Sequence, residues 1–69
     1  MYYVQKRDIT AIGGYRTVKH CDTQPEALQA ARDFDTIRDG EPAGFTRVLT
    51  AKEYDKWHET VVMPFYRRG

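Results

Sequence analysis

Three residues of this 69-residue chain have side chains suited to nucleophilic or soft-metal chemistry: His20, Cys21 and His58. A Cys–His pair acts as nucleophile and base only when the two groups meet within hydrogen-bond reach and a third group orients the base. His20 and Cys21 are neighbours on a segment that reads as a strand, so their side chains leave on opposite faces. No spacing of His, Cys and carboxylates along the chain has the pattern of a zinc site. Asp33, Asp35, Asp39 and Glu41 are dense enough for acid–base work. They fall on or just after the solvated side of a helix, where no apolar pocket raises a carboxyl pKa. Gly13-Gly14 is not followed by the Lys-Ser/Thr of a phosphate loop. The residues therefore predict no enzyme, no cofactor and no metal site.

Binding chemistry is better represented. Tyr2, Tyr3 and Tyr15 fall on two expected strands beside Lys6, Arg7, Arg16 and Lys19. Aromatic and basic side chains on a strand surface suit either stacking on single-stranded bases or a protein interface, where Tyr and Arg are enriched. The charge distribution bears on that choice. Residues 1–20 carry Lys6, Arg7, Arg16 and Lys19 against Asp8 alone, and residues 46–69 are also basic in balance. Between them, Asp22, Glu26, Asp33, Asp35, Asp39 and Glu41 outnumber Arg32 and Arg38. The whole comes to a formal net charge of +1. A dedicated nucleic-acid binder offers phosphate a strong basic excess. A polarised but near-neutral chain suits steering onto a protein of mixed charge. Tyr3, Tyr15, Arg16 and Lys19 are thus expected partner-binding residues, with Trp57 an anchor in the core.

Length sets further bounds. The chain is too short for a second core, so residues 1–69 are read as one domain, outside the large nucleotide-binding and barrel folds. Nine aromatic residues with so little net charge argue against disorder. Cys21 is the single cysteine, which excludes an intramolecular disulfide and favours a reducing, cytoplasmic setting. Met1 leads straight into Tyr2-Tyr3-Val4, with neither a signal peptide's order nor a membrane-length apolar run.

The elements that must position these residues follow from local pattern. Tyr2 to Arg7 and Tyr15 to Cys21 are rich in strand formers and are joined through Gly13-Gly14, which predicts an antiparallel pair. The inward face of the second strand is ambiguous, with Tyr15, Thr17 and Cys21 on one side and Val18 on the other. Thr23-Gln24-Pro25-Glu26 is a capping box. Ala27, Ala30, Ala31, Phe34 and Ile37 then recur at helical spacing, up to an expected cap at Gly40 and a block at Pro42. Phe45 to Thr50 reads as a third strand. Thr50-Ala51-Lys52-Glu53 opens a second, short helix carrying Ala51, Tyr54, Trp57, His58 and Val61, which Met63-Pro64 is expected to stop. Residues 60–69 then form an edge strand or a flexible tail. The fold class is α+β: ββαβ with a short C-terminal helix, and a helix packed on an antiparallel-rich sheet.

The order of these elements carries a resemblance. Two strands, then Thr23-Gln24-Pro25-Glu26-Ala27-Leu28 with Ala30 behind it, then Pro42-Ala43-Gly44-Phe45 and Thr46-Arg47-Val48, resemble the small inhibitors of host RNA polymerase encoded by short-tailed coliphages. The resemblance spans residues 15–49, with a gap on each side of the Pro-Ala-Gly-Phe loop, and leaves the second helix unmatched. It implies a phage protein that takes over the host by binding the polymerase jaw and blocking transcription through arginines of the last strand. Arg47 matches the first of those arginines, and Leu49 stands where the second falls. Small phage-encoded inhibitors of CRISPR effectors are similar in size and organisation. The expected partner is therefore a bacterial protein complex, RNA polymerase or a CRISPR effector. No membrane is expected, direct nucleic-acid contact is secondary, and the chain is expected to be a monomer or weak dimer.

Overall fold

A computed structural model describes residues 1–67 of the chain. Strand β1 (Tyr2–Arg7) is followed by a single tight turn at Ile12–Gly14, strand β2 (Tyr15–Cys21) and helix α1 (Gln24–Phe34). Two very short strands, β3 (Ile37–Arg38) and β4 (Glu41–Pro42), precede β5 (Thr46–Thr50). The chain ends in helix α2 (Ala51–Trp57), a π-helical segment (His58–Val62) and helix α3 (Met63–Arg67). The main sheet has the order β2-β1-β5 with antiparallel pairing throughout, so β1 is central and β2 and β5 are edges. The expected α+β architecture is present, with helices on both faces of the sheet.

A bulge settles the ambiguous face of β2. Val4 pairs with Lys19 and Gln5 with Thr17, leaving Val18 as the extra residue. One surplus residue reverses the in–out alternation beyond it. Cys21 and Val18 thereby join Val4 on the α1 side. Thr17 stays on the opposite side, where its hydroxyl accepts from Gln5 Nε2 at 3.2 Å. The α1-side core consists of Val4, Cys21, Ala27 and Ala30, packed round by Tyr2, Val18, Ala31 and Val48. Ala27 and Ala30, one turn apart, let the helix backbone lie close to the sheet, as the alanine spacing predicts.

Helix α1 starts at the expected Thr23 cap, but without the second, backbone bond of the capping box. Thr23 Oγ1 accepts the Glu26 amide at 3.4 Å and donates to Glu26 Oε1 at 2.9 Å. Its end corrects the sequence reading. The helix stops at Phe34, and Ile37 belongs to a hairpin and is 61% exposed rather than in the core. Asp39 and Gly40 form the two-residue loop between β3 and β4, with φ of 56° and 82°. Left-handed angles at both central positions are those of a type I′ turn, for which Asp-Gly is a favoured sequence. Gly40 therefore serves a hairpin, not a helix cap.

The second helix also departs from expectation. Thr50 and Glu53 form the complete capping box, with bonds of 3.2 and 3.1 Å. Met63-Pro64 does not stop the helix. Through the π segment the Met63 amide bonds back to the His58 carbonyl, and the helix carries Pro64 on to Arg67. Residues 63–67 are thus helical rather than an edge strand or tail, and Arg68 and Gly69 of that expectation lie outside the described residues. No helix among the described residues is long and apolar enough to cross a membrane.

Candidate protein-binding surface

The side chains suited to catalysis are kept apart. Cys21 is buried on the α1 side of β2, whereas the His20 ring lies on the other side, 4.8 Å from the ring of Tyr3. His58 is on the helical segment, 6.1 Å from the ring of Tyr54. Among the described residues no three His, Cys, Asp or Glu side chains converge as a metal site would need. The carboxylates near residue 35 do structural work. Asp35 Oδ1 accepts the amides of Thr36 and Phe45 at 2.8 and 2.9 Å, and Oδ2 accepts that of Gly44 at 2.9 Å. Desolvation pushes this carboxyl's pKa upward, but the three amides, helped by Lys6, outweigh it and hold the group below its ordinary value.

The expected binding residues fall into two sets on opposite sides of the sheet. Tyr3, Tyr15 and Arg47 face α2. Tyr3 stacks on Tyr54 with centroids 4.0 Å apart and planes at 14°. The Arg47 guanidinium lies 3.6 Å from the centroid of the Tyr15 ring and 5.8 Å from that of Trp57. Arg47 Nε donates to Oε1 of the fully buried Gln5 at 2.9 Å, while its buried Nη2 has no hydrogen-bond partner. Arg16 and Lys19 are exposed and pair across β1 with Lys6 and Val4, which places them on the α1 side. The tyrosines and these cations therefore do not make one continuous surface. Trp57 is half-buried and anchors α2 against the turn before β2. An added Cβ at Gly13 would lie 2.9 Å from Trp57 Cζ2, and its φ is 79°.

The two edges of the sheet differ in a way that matters for docking. Strand β2 is bulged and carries Arg16 and Lys19, features that discourage another strand from pairing. Strand β5 has no bulge, since Thr46–Thr50 pairs with β1 in unbroken register, and its one cation, Arg47, is held against Tyr15 and Gln5. Hydrogen bonds from Arg7 N to Phe45 O and from Ala51 N to Met1 O extend that ladder at both ends. An open groove flanks β5 on each side of the sheet. The α1-side groove, about 390 Å³, is lined by Leu28, Ala31, Arg32, Asp35 and Thr46. The α2-side groove, about 360 Å³, includes Arg47, Leu49, Glu53, Lys56, Trp57 and Val61.

Glu53 is partly committed within this second groove. The Thr50 amide, then the Thr50 hydroxyl, hold its carboxyl below the ordinary value against a smaller opposing desolvation, and Arg47 adds to the effect. Sequence reasoning placed Arg47 on the right strand but missed Gln5, Lys56 and Leu28. A lone Gln on a strand carries no signal of burial, and the grooves arise only when β5 lies between two helices. No protein-family model matches the chain, and no curated protein or solved structure shows significant similarity to it.

Proposed function

We propose that the chain is a non-enzymatic inhibitor that docks on a bacterial nucleic-acid machine by protein–protein contact, with RNA polymerase as the first target. The observation that supports this reading is the uncovered β5 edge between two grooves, a surface with strand pairing and side-chain space available together. The resemblance marks the strand bearing Arg47 as the one that meets polymerase, and Arg47 lies on β5. Here the guanidinium is held by Gln5 and Tyr15, so it lines the docking groove in a fixed pose. Inhibition then consists of occupying a working surface of the larger machine. A CRISPR effector is the alternative target, engaged through the same surface.

Affinity purification from bacterial lysate, followed by transcription and CRISPR-cleavage assays with the purified chain, tests the proposal. Copurification of polymerase subunits with loss of transcription is the expected result. Capture of a CRISPR complex with loss of cleavage would select the alternative. Neither capture nor inhibition would remove both. A direct nucleic-acid role draws on Lys6 and Arg16, which face each other across β1 and β2. It predicts binding to labelled DNA or RNA that weakens steeply with salt, and no shift at low salt would eliminate it.

A further inference from the structure

Resting on the reading that the chain works by protein contact, we infer that β5 takes up an extended, acidic segment of the partner as a fourth strand. Apolar side chains of that segment enter the α1-side groove and carboxylates enter the α2-side groove. Three observations lead there.

The first is the contrast between edges. A strand joining β2 would meet a bulge and the cations Arg16 and Lys19, whereas β5 presents a regular row of Thr46, Arg47, Val48, Leu49 and Thr50. The second is periodicity. A strand's side chains alternate between faces, and the grooves lie on alternate faces of β5, with Thr46 in one and Arg47 and Leu49 in the other. An added strand therefore finds space beside Thr46 on one face and beside Arg47 and Leu49 on the other.

The third is charge. In the α2-side groove Arg47 and Lys56 stand against Glu53, whose carboxylate also accepts the Thr50 amide at 3.1 Å. This leaves the groove basic in balance. In the α1-side groove Arg32 and Asp35 balance in charge, Asp35 is already bonded to three loop amides, and Leu28 and Ala31 supply an apolar wall. The occupant complementary to both is a β-forming segment that alternates apolar and acidic residues. A second copy of this chain fits less well. Antiparallel β5–β5 pairing about Val48 would set two Arg47 side chains on the same side of the seam and add positive charge to a basic groove.

The probe is a synthetic peptide of alternating Val and Glu, compared with the same peptide bearing Lys for Glu and one N-methylated on alternate amides to block the ladder. Expected results are slowed hydrogen exchange at those β5 amides that do not pair with β1, and binding weaker by about tenfold or more for the Lys and N-methyl peptides. Lys56→Glu should weaken the Glu peptide several-fold. Equal binding of the Lys peptide, protection on β2, or no binding at millimolar peptide would overturn the inference. So would a concentration-dependent dimer protected at Thr46–Thr50 without peptide. Peptide docking on β5 without capture of polymerase or a CRISPR effector would keep this inference and remove the proposed target class. Capture that excess peptide does not compete would do the reverse.

Discussion

The two faces of the sheet are held by different chemistry. Beneath α1 lie Val4, Cys21, Ala27 and Ala30, small or branched apolar side chains excluded from water. Beneath α2 lie Tyr3, Gln5, Tyr15 and Arg47, bound through ring stacking and hydrogen bonds. Apolar burial is non-directional and scales with area, so the α1 side tolerates small shifts. Stacks and a guanidinium–amide bond depend on orientation, and an unpaired polar group under cover is costly. The α1 side therefore supplies most of the cohesion, and the α2 side fixes geometry around the β5 groove.

The largest effect should come from the apolar side. Val4→Ala opens a cavity at a fully buried position on the central strand and should cost about 2–3 kcal/mol. Chemical denaturation checks this, and a loss below ~1 kcal/mol would mean the two faces contribute more evenly than argued. On the polar side, Gln5→Leu strands Arg47 Nε and should cost about 1–3 kcal/mol. Arg47→Met relieves the unpaired Nη2 but leaves the buried Gln5 Oε1 without its donor, so it too should cost about 1–3 kcal/mol. The double variant should recover part of the Gln5→Leu loss. Strict additivity in that cycle would show that the pair does not act as a unit.

A smaller effect isolates the Trp57 contact. Gly13 and Gly14 both have φ of 79°, but only at Gly13 would a Cβ meet Trp57 and Val61. Both alanine variants incur the backbone cost of about 1 kcal/mol, and Gly13→Ala should lose roughly 1 kcal/mol more, with altered Trp fluorescence. Equal losses would place Trp57 too loosely to anchor α2. The last effect is a local acid transition. Because the folded carboxyl of Asp35 lies below its ordinary value of 3.8, its stabilising contribution is present above that value and fades as pH falls through the folded pKa. Amide resonances of Thr36, Gly44 and Phe45 should move together in that window, and Asp35→Asn should abolish the shared titration.

Much of the scaffold was readable because its signals are local. The bounds of β1 and β2, the Thr23 and Thr50 caps and the alanine stripe of α1 each depend on residues close in sequence. Features that depend on distant partners were not readable. The bulge at Val18 is defined only by pairing with β1, and it decides which side Cys21 occupies. Asp35 binds amides nine and ten residues ahead, an interaction no helical periodicity encodes. Asp39-Gly40 did carry a local hairpin signal, masked because Phe34 and Ile37 continued the apolar spacing of α1. Of the candidate site, the tyrosines were found by type and Arg47 through the resemblance. Their enclosure by Gln5 and α2 draws on segments from both ends of the chain, which only the fold brings together.

The π segment His58–Val62 sets a rotational phase for everything after it. Each residue of an α-helix turns the next side chain by about 100°, so one residue of extra winding redirects the rest of the helix without bending it. Phe65 and Tyr66, 60% and 62% exposed, face where they do because of that offset. Deleting one residue from the segment would leave a helix of nearly the same length whose aromatic end points elsewhere. The terminal surface can thus be re-aimed relative to the β5 edge by a single-residue change in length, with the sheet and α1 core untouched.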